Sequence, residues 1–231
     1  MTQSPPPEKH SKVNEVVRDV IIGMSDGLTV PFALAAGLSG AVSSTSIIIA
    51  GGLAEIVAGS ISMGLGGYLA AKSDSDHYYS EQQKEYDEIK MTPDQEKKEV
   101  SDILKTYGLS DVHIASILKN FESNHDAWVD FMMKNELRLD EPEKRRAVKS
   151  AGTIALSYIV GGIIPLTPYF FTPDPHTGLL ISAGVTLIAL FIFGYLKSRF
   201  IGSNPWKGAV QTLLIGGIAA TAAYLLAKAV S

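Results

Sequence analysis

The chain has 231 residues, no cysteine and a formal net charge of −4. Without cysteine it has no disulfide bonds or thiolate metal sites, and the acidic balance argues against nucleic acid as a partner. Five apolar runs approach the roughly 20 residues that a helix needs to cross hydrocarbon. We predict an all-α membrane protein whose five spans lie at residues 17–38, 47–71, 151–171, 179–196 and 209–227.

The N-terminal segment, residues 1–16, is rich in proline and charge and lacks a cleavable signal pattern, so we expect a flexible segment that stays attached. The first apolar run follows it and contains Asp26, with Gly27 and Pro31 shortly after. Because Pro31 cannot donate a backbone hydrogen bond and clashes with the preceding turn, we expect the helix to be interrupted and kinked just after Asp26. Broken backbone at membrane depth is tolerated where it lines a cavity.

The second apolar run carries Glu55 as its single charged residue. A charge at membrane depth costs at least about 2.5–3.5 kcal/mol by insertion scales, so Asp26 and Glu55 are candidates for an ion or proton path. The alternative is that burial keeps each carboxyl neutral and hydrogen-bonded to backbone. Met63 shares the broad face of Glu55 and is by itself more typical of packing. Glycines on this face, which suit either close helix packing or a path, are Gly51, Gly59 and Gly67.

Residues 73–146 form a polar insert between the second and third spans, and most of the acidic residues of the chain lie there. The second span is predicted to continue into it as one long helix to residue 90. The Thr92-Pro93 pair then marks a helix start, with an end near Gly108. Further helices are predicted from Ser110 to about residue 121 and from Asn124 to about residue 139. Their apolar positions are sufficient for a small helical core.

Carboxylates recur on helix faces of this insert, first at Glu81, Glu85 and Glu88 and then at Glu96 and Glu99. They indicate either a solvated acidic face or a cation site. Farther along the chain, Met132 and Met133 precede Glu136 by three or four residues. A thioether favours transition metals over magnesium or calcium, although adjacent methionines also serve as core filling.

The distribution of Lys and Arg predicts the orientation of the spans. Basic residues flank the first span, both ends of the insert and the connection after the fourth span, whereas residues 39–46 and 172–178 contain none. Five spans with the N-terminus and the insert in the cytosol satisfy this pattern and leave the C-terminus on the far side. We therefore divide the chain into a cytosolic N-terminus (1–16), spans one and two (17–72), a cytosolic acidic domain (73–146) and spans three to five (147–231).

Two segments carry a family resemblance. Residues 19–38, DVIIGMSDGLTVPFALAAGL, and residues 52–68, GLAEIVAGSISMGLGGY, resemble the first-helix and second-helix signatures of vacuolar iron transporters. The similarity extends over the five-span layout and the acidic insert. The sequence resembles the plant members of the family in particular. The resemblance implies a homodimer, paired through spans one and two, that exchanges protons for ferrous iron and moves the iron from the cytosol into the vacuole. It also implies a multi-pass protein of the vacuolar membrane with a luminal C-terminus.

The resemblance also implies roles for individual residues. The translocation path would include Asp26, Glu55 and Met63. The metal-binding residues of the insert would be Glu85, Glu88, Glu96, Glu99, Met132, Met133 and Glu136. The expected cargo is Fe²⁺, with Zn²⁺, Mn²⁺ and Co²⁺ also compatible with oxygen and thioether ligands. No cofactor is expected, and the partners are a second copy, membrane lipids, divalent ions and protons.

Two other functions remain open at this stage. One is a passive divalent-cation channel, which would move metal without obligatory proton movement. The other is a membrane metal sensor that binds metal without transporting it, although this leaves two intramembrane carboxylates without a purpose. An enzyme is not expected, because no phosphate-binding loop, nucleophile arrangement or metal-hydrolase motif occurs in the sequence.

Overall fold

The computed structural model describes residues 10–230, and every regular element in that range is helical. The helices are, in chain order, α1 (His10–Ala41), α2 (Thr45–Met91), α3 (Pro93–Thr106), α4 (Asp111–Ser123), α5 (His125–Asn135), α6 (Arg146–Leu166), α7 (Pro175–Ile201) and α8 (Pro205–Val230), with a 3₁₀ helix at Thr167–Phe170. Within this range, five helical stretches are long and apolar enough to cross a membrane, and they match the five predicted spans, although the third, which includes the 3₁₀ helix, ends at Phe170, one residue before the predicted end. The predicted all-α class is confirmed.

The predicted interruption of the first span is wrong, since α1 continues as one helix through Gly27 and Pro31. A neighbouring helix supports this stretch. A Cβ added at Gly27 would lie 2.9 Å from Tyr158 Cα, and one added at Gly162 would lie 3.1 Å from Pro31 Cγ. This stretch of α1 is thus continuous and packs closely on α6, and the predicted kink just after Asp26 stays a prediction. Of the predicted flexible N-terminus, residues 1–9 lie outside the described residues, and α1 begins at His10.

The described chain divides into two compact units, one formed by residues up to Leu69 and from Ala147 onward, the other by Ala70–Arg146. In the first unit, α1 packs against α7 and α8. A buried apolar cluster joins α1, α2 and α6 and consists of Ala35, Ile48, Ile56, Leu166 and Tyr169. Large apolar side chains on the outer faces of α7 and α8, such as Ile188 and Leu214, are exposed. Such exposure is costly in water and is the expected surface of a bundle in hydrocarbon.

The second unit has its own apolar core of residues from α2, α3, α4 and α5, which includes Val100, Ile114 and Trp128. Helix α2 reaches Met91 without a break, as predicted. Helix α3 starts at Pro93 and ends near Gly108, which has a φ of 80°, also as predicted. The last helix of the insert was predicted to run from Asn124 to about residue 139, and this predicted end is wrong, since α5 stops at Asn135.

Candidate ion path and acidic metal site

Glu55 on α2 has one specific partner, Tyr158 on α6. The Tyr158 hydroxyl donates a hydrogen bond to Glu55 Oε1, and this tyrosine is only 2% exposed. The other carboxylate oxygen, Glu55 Oε2, is buried and accepts no hydrogen bond from the described residues. A buried acceptor without a partner carries a desolvation cost that a proton or a cation would relieve. The carboxylate therefore has one oxygen fixed by the protein and one oxygen available for exchange.

The position of the Tyr158 ring depends on Gly59, which lies one turn from Glu55 on α2. A Cβ added at Gly59 would lie 2.7 Å from Tyr158 Cε1, too close for any real side chain. Gly59 thus makes room for the ring that holds the carboxylate. Of the glycines predicted on this face of α2, Gly59 and Gly67 pack against α6, whereas Gly51 faces Leu38 on α1.

Asp26 on α1 is half-buried and lies near the same tyrosine, because its neighbour Gly27 packs on the Tyr158 backbone. Met63, two turns beyond Glu55 on α2, is also half-buried. The structure thus places Glu55 on the Tyr158 hydroxyl and Asp26 beside the glycine that packs on the Tyr158 backbone. Sequence reasoning missed this tyrosine, since nothing in an apolar run distinguishes it from an ordinary core aromatic residue.

The second candidate site is an open acidic cavity of about 410 Å³ within the Ala70–Arg146 unit. It lies where the end of α2, the first turns of α3 and the end of α5 meet. Its lining residues are Glu88, Met91, Thr92, Gln95, Glu96, Glu99 and Glu136. Four of the predicted metal-binding glutamates therefore share one cavity. Glu81 is outside it and pairs instead with Lys84, whose Nζ lies 2.6 Å from Glu81 Oε1.

Two glutamates of this region are buried, and each has one carboxylate oxygen without a hydrogen-bond partner among the described residues. Glu96 is 2% exposed and Glu85 is 5% exposed, and the Oε2 atom of each accepts no hydrogen bond from the described residues. Burial raises the pKa of each to about 7, and the neighbouring carboxylates add to this effect. The pKa of Glu136 is raised for the same two reasons. Buried, mutually repelling carboxylates of this kind are stabilised by a bound cation.

The carboxylates line the wall of the cavity without forming a closed coordination sphere. Among residues 10–230, no three His, Asp or Glu side chains lie close enough together to hold a metal ion as they stand. Oxygen donors of this number suit a divalent cation, and the charge of such an ion would draw them inward. The donor set therefore fits a metal in its chemistry, and coordination requires the side chains to move.

The predicted methionine ligands lie elsewhere in the unit. Met132 and Met133 are both 0% exposed and belong to the apolar core with Trp128 and Val129. Their environment is that of core filling, and their role as ligands stays a prediction. Met91, which the sequence reasoning missed, does line the cavity. The available signal was its position three residues after Glu88, on the same side of α2.

Five long apolar helices, with Asp26 on α1 and Glu55 on α2 within them, define a multi-pass membrane protein with ionisable groups inside its helical bundle. Residues 17–228 match the model of the VIT family, and the chain belongs to that family. It is 56% identical to vacuolar iron transporter 2 of Oryza sativa subsp. japonica, over 96% of this chain and 91% of the relative. It is also 56% identical to vacuolar iron transporter 1 of Tulipa gesneriana, over 96% and 90%, and 52% identical to vacuolar iron transporter 1 of Arabidopsis thaliana, over 96% and 89%.

Proposed function

We propose that the chain is a proton-coupled antiporter of the vacuolar membrane that moves Fe²⁺ from the cytosol into the vacuole. The relatives that it matches over nearly their whole length are named as vacuolar iron transporters. The observation that carries the proposal is the Glu55 carboxylate, which has one oxygen bound by Tyr158 and one buried oxygen without a partner. A carboxylate of this kind can exchange a proton for a cation at Oε2 while its Oε1 keeps the hydrogen bond from Tyr158.

The exchange follows from competition for the same oxygens. On the cytosolic side, Fe²⁺ displaces protons from Glu55 and Asp26, and on the acidic luminal side protons displace Fe²⁺. Met63 supplies a thioether that favours a transition metal over magnesium or calcium. Tyr158 positions Glu55 throughout the cycle, since its hydroxyl binds Oε1 and leaves Oε2 for the proton or Fe²⁺. The energy comes from the proton gradient.

The acidic cavity captures the metal before transport. Carboxylates of the cavity wall raise the local concentration of divalent ions on the cytosolic side of the membrane. Because Glu96, which lines the cavity, has a pKa of about 7, protons compete with metal at this position near neutral pH. The cavity therefore binds metal reversibly, as a donor to the path must.

The working assembly is a homodimer whose copies meet through α1 and α2. Support comes from a stripe of exposed apolar side chains at four-residue steps on α2, formed by Leu53, Val57, Ile61, Leu65 and Leu69. Side chains at this spacing lie along one helix face and suit contact with an equivalent face. The N-terminus and the acidic unit are cytosolic in this arrangement, and the C-terminus is luminal.

Iron uptake by proteoliposomes tests the proposal. The full chain is reconstituted with an imposed pH gradient, and Fe²⁺ entry is followed anaerobically with an internal metal-quenched dye. Glu55→Gln and Asp26→Asn, which keep side-chain size and remove charge, should each abolish uptake while the proteins elute normally from a sizing column. Asp102→Asn is the matched control, since it removes one exposed carboxylate of α3. Unchanged uptake in both Glu55→Gln and Asp26→Asn would refute the assignment.

A further inference from the structure

A groove of about 390 Å³ lies between residues 17–22 of α1 and the last turn of α7. Its volume is within the roughly 300–1,000 Å³ that small-molecule sites occupy. All but one of the lining residues are apolar, and the lining consists of Val17, Arg18, Ile21, Ile22, Phe200 and Ile201. One cation therefore lies in the wall of an otherwise apolar groove.

The groove lies at the level where hydrocarbon meets water. The membrane-spanning stretch of α1 starts at Glu15 and that of α7 ends at Ile201, so both walls belong to the outermost turns of a span. At the same end of the bundle, Trp206 of α8 packs on Tyr195 of α7, with ring centroids 5.3 Å apart. Aromatic side chains of this kind are enriched at membrane–water interfaces. A molecule in the groove would have its apolar part in hydrocarbon and its polar part in water.

The charges around the groove favour an anionic ligand. Arg18 is exposed and forms no ion pair with the residues that the structure describes. The acidic residues nearest to it along α1, Glu15 and Asp19, are both outside the lining, and Asp19 is only 1% exposed. Helices α7 and α8 contain no Asp or Glu, whereas the last turns of α7 carry Lys197 and Arg199. A wall and surroundings of one sign attract the opposite charge.

We propose that this groove binds one anionic phospholipid, with the headgroup phosphate on Arg18 and an acyl chain against the apolar wall. The guanidinium group offers several N–H donors in a geometry that matches phosphate oxygens. In the proposed orientation this end of the bundle is cytosolic, and the cytosolic leaflet is the one that carries anionic lipids. The lipid would contact α1 one turn before Asp26, on a helix of the proposed path. The inference goes beyond the proposed function, and lipid binding is measured without iron.

Native mass spectrometry of the full chain in detergent tests the inference. Dioleoyl phosphatidylserine and dioleoyl phosphatidylcholine, which have the same acyl chains, are titrated separately, and the affinity for the first bound lipid is measured. Arg18→Gln removes the positive charge of the groove. Lys207→Gln is the matched control, since Lys207 is an exposed cation at the same end of the bundle and lies outside the lining. Glycerophosphoserine, which is the headgroup without acyl chains, is added as a soluble competitor.

We expect phosphatidylserine to bind at least about fivefold more tightly than phosphatidylcholine, and Arg18→Gln to remove this preference, because one cation beside an anionic headgroup contributes an effect of this size. Lys207→Gln should change the affinity by less than about twofold, since salt screens a charge outside the site. Glycerophosphoserine should not displace the lipid.

Three results would overturn the inference. Equal affinity for the two lipids would show that the groove does not select an anionic headgroup. An equal loss of affinity in Arg18→Gln and Lys207→Gln would show diffuse attraction to the basic end of the bundle. Displacement by glycerophosphoserine would show that the ligand is a soluble phosphate compound. Because no metal is present in the titration, each of these results leaves the proposed iron transport unaffected.

Discussion

Replacing Glu96 with glutamine removes one negative charge from the acidic cavity and keeps the size of the side chain. Glu96 is almost completely buried, and its charge faces those of Glu88, Glu99 and Glu136. Burial is the main cause that raises the pKa of Glu96 from 4.5 to about 7, and the neighbouring carboxylates raise it further. The substitution therefore tests whether the carboxylates are crowded in the folded chain, which is the property that would make the cavity attract cations.

The sign and size of the effect follow from the pKa. Because the pKa is higher in the folded chain than in the unfolded chain, folding favours the protonated form, and stability falls as the pH rises from about 5 through 7. Ionising Glu96 costs the folded state up to about 3 kcal/mol at pH 8, at about 1.4 kcal/mol for each pKa unit. Solvent in the open cavity screens part of this cost, which leaves about 1–2 kcal/mol. Glutamine avoids the cost at every pH.

Thermal unfolding of the full chain in detergent measures the difference. The chain has two tryptophans, so the exposed Trp206 is replaced by phenylalanine and the buried Trp128 reports on the acidic unit alone. At pH 8, Glu96→Gln should raise the transition of this unit by at least about 4 °C, since about 1 kcal/mol corresponds to about 4–8 °C for a unit of this size. At pH 5, close to the pKa of the unfolded chain, the difference should fall to about a quarter of its value at pH 8.

Asp102→Asn is the control for net charge, because it removes an exposed carboxylate from the same helix, α3. It should leave the transition within about 1 °C of the parent at both pH values, as is usual for surface substitutions. If Glu96→Gln stabilises the unit no more than Asp102→Asn does, or stabilises it equally at pH 5 and pH 8, the carboxylates are not crowded. The electrostatic argument for the cavity would then be refuted.

The proposed path between α1, α2 and α6 yields further predictions. Gly59→Ala should displace the Tyr158 ring, at a cost of about 1–3 kcal/mol, and reduce iron uptake by proteoliposomes. Gly152→Ala on α6 should have no effect, because its added Cβ meets no atom within 4 Å and α6 is outside the proposed dimer contact. Equal uptake by the two variants would disprove the packing argument. Tyr158→Phe keeps the ring and removes a hydrogen bond to a carboxylate worth about 1.5–3 kcal/mol, so uptake should fall at least about tenfold with the protein still folded. Wild-type uptake by this variant would show that Tyr158 does not position Glu55.

The positions of the long helices were predictable because they depend on composition and length. An apolar run of about 20 residues has few alternatives to a membrane helix, whatever its neighbours are. The consequence of Pro31 was not predictable, since it depends on contact between α1 and α6. Gly27 and Gly162 bring α6 close enough to support the proline, and no local rule identifies the helix that will be the neighbour.

The end of α5 illustrates a similar limit within the acidic unit. The apolar residues Leu137 and Leu139 extend the helical pattern, yet the helix ends at Asn135. Arg138 adopts a positive φ of 56°, and the N–H groups of Leu137 and Leu139 bond to the carbonyls of Met132 and Met133. The chain turns so that both leucines pack against the core. Core packing here outweighs the local preference for continuing the helix.

A candidate site residue was predictable from the sequence where a charged side chain lies within an apolar run. Glu55 is the single charge in its apolar run, so the sequence alone draws attention to it. Tyr158 and Met91 do not differ in this way from the residues around them, because an aromatic residue in a membrane span and a methionine at a helix end are both common. Only the packing of α2 against α6 shows that Tyr158 binds Glu55, and only the fold of the acidic unit brings Met91 into the cavity.

The coupling of iron to protons is tested most directly by following both ions in the same proteoliposomes. Fe²⁺ is added outside without an imposed pH gradient, and an internal pH dye is read together with an internal metal dye. Exchange at Glu55 predicts that the interior becomes more alkaline in proportion to iron entry, and that Glu55→Gln abolishes both signals together. Iron entry with no change of internal pH would contradict the proposed antiport and indicate a passive channel.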